Sequence, residues 1–146
     1  MNQEYYLRQL EEELVVALGC TEPVSVAFAA ALARKEAGYD DPVESIELQA
    51  SVNIYKNAMS VFIPGTNDMG AAMAAALGAV GGDPSLDLQV LQSIGEEDII
   101  TARKLCAEGR FRSISLRGER LLCTSMSRSV RKIIVDGRSW HGNMIS

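Results

Sequence analysis

The residues best placed to do chemistry form a five-residue segment at positions 19–23 that reads Gly-Cys-Thr-Glu-Pro. Its glycine breaks the helical pattern that precedes it. Thr21 is the expected N-cap of a new helix, because the Glu and Pro that follow it are favoured in a first helical turn. The free N–H groups and partial positive charge of a helix start favour a thiolate over a thiol. Cys20 is therefore predicted to be a nucleophile or a metal ligand, and the alternative is a small buried thiol at a helix–helix corner.

Other segments and residues are weaker candidates for a functional role. The glycine-bearing segment 64–70 could bind an anion at a helix start. It matches neither the P-loop nor the dinucleotide-binding fingerprint, and a plain strand-to-helix turn is the alternative. Cys106 falls at a core position by helical periodicity, and Cys123 shares a strand face with Leu121 and Ser125. His141, the sole histidine, has no acidic neighbour and makes a poor general base.

Length and composition indicate one globular domain over residues 1–146. The hydrophobic fraction is 47% and the charged fraction 23%, and no apolar run is long enough to span a membrane. Three cysteines without a paired spacing and an acidic N-terminus lacking a secretion signal predict a cytoplasmic location. Residues 1–101 carry a net charge of −12 and residues 102–146 one of +7. The basic residues alternate with apolar ones, which favours solvated strand faces over nucleic-acid binding.

Hydrophobic periodicity predicts the elements that position these residues. Leucines at three- and four-residue steps up to Leu18 predict an amphipathic helix, and alternation from Ile46 to Val52 predicts a strand with 58–63 as its partner. The fold class is α+β: alanine-rich helices packed with an antiparallel sheet, with further strands at the C-terminal end. The remaining predicted elements are helices at 22–37, 70–80 and 96–108, a short helix after Ser85, strands at 112–116, 121–126, 130–135 and 139–145, and hairpin turns at 117–118 and 136–137.

An ordered series of four motifs resembles a known family. They read Ala-Leu-Gly-Cys-Thr-Glu-Pro at 17–23, Asn-Ile-Tyr-Lys-Asn-Ala-Met at 53–59, Ile-Pro-Gly-Thr at 63–66 and Ala-Ala-Ala-Leu-Gly-Ala-Val-Gly-Gly at 74–82. In this order they are similar to the N-terminal part of the L-cysteine desulfidases, also called the UPF0597 group, which carry a serine dehydratase alpha-chain-like domain.

The resemblance implies an oxygen-sensitive [4Fe–4S] lyase that splits L-cysteine into pyruvate, sulfide and ammonia. Cys20 would inherit the role of one cluster ligand, and the open iron would act as a Lewis acid toward the amino-acid substrate. Glu22, Lys56 and Asn57 are the candidate catalytic residues, with Glu22 able to relay protons or to serve only as a first-turn acid. Thr21 and Thr66 are the candidate substrate-binding residues.

The chain also departs from the family pattern. Family members are much longer, and their other cluster cysteines lie in a C-terminal part that has no counterpart here. We therefore expect an N-terminal fragment, a truncated reading frame or one subunit of a split enzyme, which is inactive alone and binds no cluster alone. Exposed apolar faces would then predict a homo-oligomer or docking on the missing portion. Two alternatives remain, an iron–sulfur L-serine dehydratase portion and a non-catalytic self-associating module.

Overall fold

The computed structural model describes residues 3–14, 16–38, 42–116 and 131–135, with the backbone alone at 113–116 and 131–135. The described residues form a mixed structure of helices and a sheet, which confirms the predicted α+β class. The helices are α1 (Gln3–Glu13), α2 (Thr21–Glu36), α3 (Val52–Ala58), α4 (Ala71–Gly81) and α5 (Glu96–Ala107), and a 3-10 segment spans Pro84–Gln89. The strands are β1 (Ile46–Ser51), β2 (Phe111–Leu116) and β3 (Arg131–Val135).

Two alanine-rich helices, α2 and α4, pack against each other at the centre of the structure. Their small side chains are buried on several faces, as the sequence predicted, so that the two backbones approach closely at Ala27 and Gly78. Gly38 adopts a φ of 77° after the last turn of α2, a conformation that glycine reaches without strain, and so ends the helix where expected. The tight crossing fixes the beginning of α2, where Cys20 lies.

The sheet is parallel, so the predicted antiparallel sheet is wrong. Its strand order is β2-β1-β3, and both neighbours run in the same direction as β1. Between β1 and β2 the chain forms α3, α4 and α5. A connection of that length is long enough to carry the chain back to the start of the sheet, so that β2 runs parallel to β1. As a central strand, β1 buries Ile46, Leu48 and Ala50, and it also buries most of Gln49, which the alternation had placed on a solvated face.

The predicted partner strand at 58–63 is also wrong. The chain turns directly from β1 into α3, because the Ser51 hydroxyl accepts a hydrogen bond from the Ile54 N–H (3.5 Å) and caps the new helix. This helix, and not a hairpin bend, carries Lys56 and Asn57, and it places the Asn57 amide at the beginning of α2. The other predicted strands at 121–126 and 139–145, and both hairpin turns, lie outside the described residues.

The first helix differs from the others because no residue of α1 is buried. It ends at Glu13, before the predicted end at Leu18. Its apolar side chains are largely in solvent; Leu10 is 54% and Leu14, just past the helix end, 73% exposed. None of the described helices is long and apolar enough to cross a lipid bilayer.

Candidate functional site at the start of the second helix

Cys20 is the N-cap of α2, one residue earlier than the sequence predicted. Its backbone is extended, with φ −62° and ψ 129°, and Thr21 is the first helical residue. Its thiol makes no capping hydrogen bond to the helix backbone. The expected first-turn positions of Glu22 and Pro23 are confirmed. The half-buried thiol donates instead to the side chain of Glu22, while the backbone N–H groups of Thr21 and Glu22 lie near enough to the sulfur to favour its thiolate form.

The Glu22 carboxylate is the centre of the site. Its Oε2 accepts hydrogen bonds from the Cys20 thiol (3.0 Å) and the Thr21 hydroxyl (3.4 Å). Its Oε1 accepts a third from the Nδ2 of Asn57 (3.1 Å), which lies 35 residues further along the chain. The structure thus joins four of the six predicted site residues through one carboxylate, and it links the first two sequence motifs.

This arrangement sets the ionisation of both acidic groups. The hydrogen bond to Glu22, with a smaller contribution from burial, raises the pKa of the Cys20 thiol above its ordinary value. The same hydrogen bond, with the backbone N–H of Glu22 and the amide of Asn57, lowers the pKa of the Glu22 carboxyl. The shift of the Cys20 pKa is therefore opposite to the one expected from the helix start, because the Glu22 carboxylate outweighs the backbone N–H groups of Glu22 and Thr21, which lower the pKa.

A tight turn at residues 63–66 packs against the segment that carries Cys20. The Thr66 N–H donates to the Ile63 carbonyl (3.1 Å), and Gly65 takes a φ of 78°, so that this is a type II turn with Pro64 at its second position. Pro64 lies directly against Gly19, where an added Cβ would come within 2.8 Å of the proline Cγ. The third motif therefore packs against the first, and glycine at position 19 makes that approach possible.

The structure places the two other predicted residues outside this hydrogen-bonded group. Thr66 uses its hydroxyl within the turn, donating to the Ile63 carbonyl (3.1 Å) and accepting from the Asp68 N–H (3.1 Å). It lines an open depression of about 300 Å³ between the turn and α5. Lys56 has an exposed side chain on α3, next in sequence to Asn57. A substrate role for either residue stays a prediction.

The described residues do not supply a complete set of cluster ligands. They contain no group of three or more His, Cys, Asp or Glu side chains that could hold a metal ion. Cys106 is half-buried against the core, as its periodicity predicted, and burial raises the pKa of its thiol. Cys123 and His141 lie outside the described residues. Cys20 has the chemistry of a single thiolate ligand, but a cubane cluster needs several.

One pair of residues near the site was missed by sequence reasoning. Asp68, in the loop that follows the turn, forms an ion pair with Arg103 on α5 at 2.9 Å. The two are 35 residues apart, and neither lies in a motif with a recognised spacing. No local pattern could have paired them, because the contact depends on how α5 packs beside the loop.

Comparison with known proteins finds several relatives of this chain. A UPF0597 protein of Vibrio parahaemolyticus is 46% identical over 112 residues, which is 75% of this chain and 26% of the relative. A UPF0597 protein of Vibrio campbellii is 38% identical over 131 residues, 88% of this chain and 31% of the relative. The chain is a homologue of the UPF0597 proteins. A UPF0597 protein of Kosmotoga olearia is 48% identical over 109 residues, 74% of this chain and 26% of the relative.

These UPF0597 matches cover most of this chain but little of each relative. The chain spans between a quarter and a third of the length of the three relatives. No family model matches the sequence. No solved structure matches it either. The comparisons therefore establish the UPF0597 relationship, while the names carry no reaction, cofactor or substrate.

Replacing Glu22 by glutamine is expected to lower the pKa of the Cys20 thiol. Glutamine keeps the size of the side chain but removes the negative charge that holds the thiol proton. The pH dependence of Cys20 alkylation by iodoacetamide, read on the Cys20 peptide by mass spectrometry, measures the shift. Glu12→Gln on the exposed α1 is the control and should leave the profile unchanged. An equal or higher pKa in Glu22→Gln would contradict the hydrogen bond.

Proposed function

We propose that this chain forms part of a UPF0597 lyase that eliminates sulfide from L-cysteine, with Cys20 as its central functional residue. The observation that carries the proposal is the group formed by Cys20, Glu22 and Asn57, in which one carboxylate joins a thiol and an amide from two separate motifs. A purely structural first-turn acid needs no such partners. The reaction converts L-cysteine and water into pyruvate, hydrogen sulfide and ammonia.

In this proposal Glu22 controls the proton of Cys20. The thiol proton points at Glu22 Oε2 across 3.0 Å, so that the carboxylate is the nearest acceptor when the sulfur must become a thiolate. The lowered pKa keeps Glu22 ionised at neutral pH, so that its carboxylate holds Cys20 in the protonated thiol form. Asn57 holds the other carboxylate oxygen and thereby orients the acceptor toward the sulfur.

Substrate binding falls to polar groups around this centre. Lys56, exposed beside Asn57 on α3, would attract the substrate carboxylate. The exposed Thr21 would present its hydroxyl to a substrate polar group, and Thr66 would act through the shape of its turn. We propose a small amino acid as the ligand, since these residues offer separate partners for a carboxylate and an ammonium group.

The proposed [4Fe–4S] cluster would supply a Lewis-acid iron to the substrate thiolate or carboxylate. Because the described residues offer only Cys20 near the site, they do not fit the whole cluster, and its other ligands would come from elsewhere in a protein as long as the relatives. We derive no step through the cluster from these residues.

A non-catalytic, self-associating module is the second candidate, and α1 favours it. The apolar stripe of this helix lies in solvent with no buried residue. Such a stripe on a short helix is typical of a docking element. It would pair with a second copy or with the part of the UPF0597 protein that this chain does not span.

A chimera tests the proposed reaction. Residues of this chain would replace the matched quarter of the Vibrio parahaemolyticus relative, and the protein would be purified and supplied with iron and sulfide without oxygen. We expect it to release sulfide and pyruvate from L-cysteine. Pyruvate from L-serine at an equal or higher rate would favour the dehydratase alternative.

Two controls make the result interpretable. The unaltered relative, treated in the same way, must show the same activity, and its failure to act on either amino acid would contradict the proposed lyase. This chain alone, given iron and sulfide, should retain far less than one cluster per chain. A stoichiometric cluster on the isolated chain would show that its own cysteines complete the site.

A further inference from the structure

An ion pair on the far side of the Pro-Gly-Thr turn is connected to the Cys20 segment. Arg103 contacts both carboxylate oxygens of Asp68, with its Nε at 3.3 Å and 3.2 Å and its Nη2 at 2.9 Å. The Arg103 side chain is 55% exposed and that of Asp68 25%. This two-sided geometry restricts both partners more than a single point contact does.

The backbone of Asp68 in turn closes the loop that begins at Ile63. Its N–H donates to the Thr66 hydroxyl (3.1 Å), and its carbonyl accepts the Ile63 N–H (2.9 Å). The Thr66 hydroxyl donates back to the Ile63 carbonyl (3.1 Å). The Asp68 carboxylate therefore belongs to a loop that is closed by hydrogen bonds at both ends. A contact that fixes this carboxylate also restricts the movement of the whole turn.

The turn carries Pro64, and Pro64 lies against Gly19, the residue before Cys20. We propose that Arg103 is a positioning residue for Cys20: through Asp68 it clamps the turn to α5, and the turn supports the segment that carries the thiol. The inference rests on the proposed function only in treating Cys20 as a functional residue. It assigns a role to a residue of α5 that touches neither Cys20 nor Glu22.

The rate of Cys20 alkylation in the full chain tests this proposal without any turnover. Asp68→Asn keeps the side-chain shape but removes its charge, and Arg103→Met removes the guanidinium. Each is expected to label Cys20 roughly threefold faster with N-ethylmaleimide, because loss of a well-formed exposed ion pair raises local opening by about that factor. Labelling is read on the Cys20 peptide, and circular dichroism reports whether each variant is folded.

A matched control and a rescue separate positioning from general stability. Lys104 forms an ion pair with Glu108 on the same helix at 4.0 Å, so Lys104→Met removes a cation from α5 without touching the loop. It should leave Cys20 labelling unchanged. The exchanged pair Asp68→Arg with Arg103→Asp should label more slowly than either of its single changes. Unchanged labelling in Asp68→Asn, or equal acceleration in Lys104→Met, would overturn the proposal, and neither outcome bears on the lyase reaction.

Discussion

Gly78→Ala is expected to destabilise the chain by about 3 kcal/mol or more, a large part of the stability of a domain of this size. A Cβ at position 78 would overlap the carbonyl group of Ala27, lying 2.6 Å from its carbon and 2.7 Å from its Cα. These are backbone atoms, so no rotamer change relieves the overlap, and α2 and α4 would have to separate. In an exposed helix the same change would be stabilising by about 1 kcal/mol.

Urea denaturation of the two variants Gly78→Ala and Gly95→Ala measures the effect. Gly95 precedes α5, and a Cβ there would lie 3.6 Å from the nearest carboxylate oxygen of Asp98, an ordinary contact. That control should lose no more than about 1 kcal/mol, since alanine is only a poorer N-cap than glycine. Equal stabilities of the two variants would show that the helices do not cross as closely as described.

Cys20→Ser in the chimera is expected to abolish sulfide release from L-cysteine. Serine keeps a hydrogen-bond donor toward Glu22, but its hydroxyl stays protonated at neutral pH and is a poor ligand for iron. Loss of residues that only support a metal ligand already costs about 10- to 100-fold in affinity or activity, and loss of a ligand itself should cost more.

Cys106→Ser is the matched control for this experiment. Cys106 is half-buried against the core and is not one of the residues that form hydrogen bonds with Glu22. Its replacement should therefore reduce stability slightly and leave the rate of sulfide release unchanged. Sulfide and pyruvate are measured together, and the iron content of each variant is compared. Full activity in Cys20→Ser would show that Cys20 is not required for the reaction.

Local sequence predicted much of the secondary structure because its signals act over a few residues. Small apolar residues followed by Gly38 predicted α2, and the acidic first turn beginning at Glu96 predicted α5. The direction of the sheet was not predicted, since strand pairing depends on where the intervening helices return the chain. The helix α3 was missed because the cap at Ser51 is a single hydrogen bond inside a region of alternating polarity.

The candidate site shows the same division. Cys20 and Glu22 are two residues apart, and their types alone marked the segment as chemically interesting. That Glu22 raises the pKa of the thiol could not be inferred, because a helix start by itself predicts the opposite shift. The hydrogen bond from Asn57 to Glu22 and the ion pair of Asp68 with Arg103 could not be predicted either, because they form only when the chain folds.

By itself, the sequence determined the α+β class, the alanine-rich helices and the four ordered motifs that resemble the UPF0597 proteins, a relationship that the comparisons support. Each of these depends on residue types within a short window or on their order along the chain. Only the tertiary structure decided the parallel sheet, the thiol–carboxylate–amide group around Glu22 and the clamp between the turn and α5. The physical reason is that the strand pairing, the Asn57–Glu22 hydrogen bond and the Asp68–Arg103 ion pair join segments about 35 or more residues apart, so that no short window of sequence contains both partners.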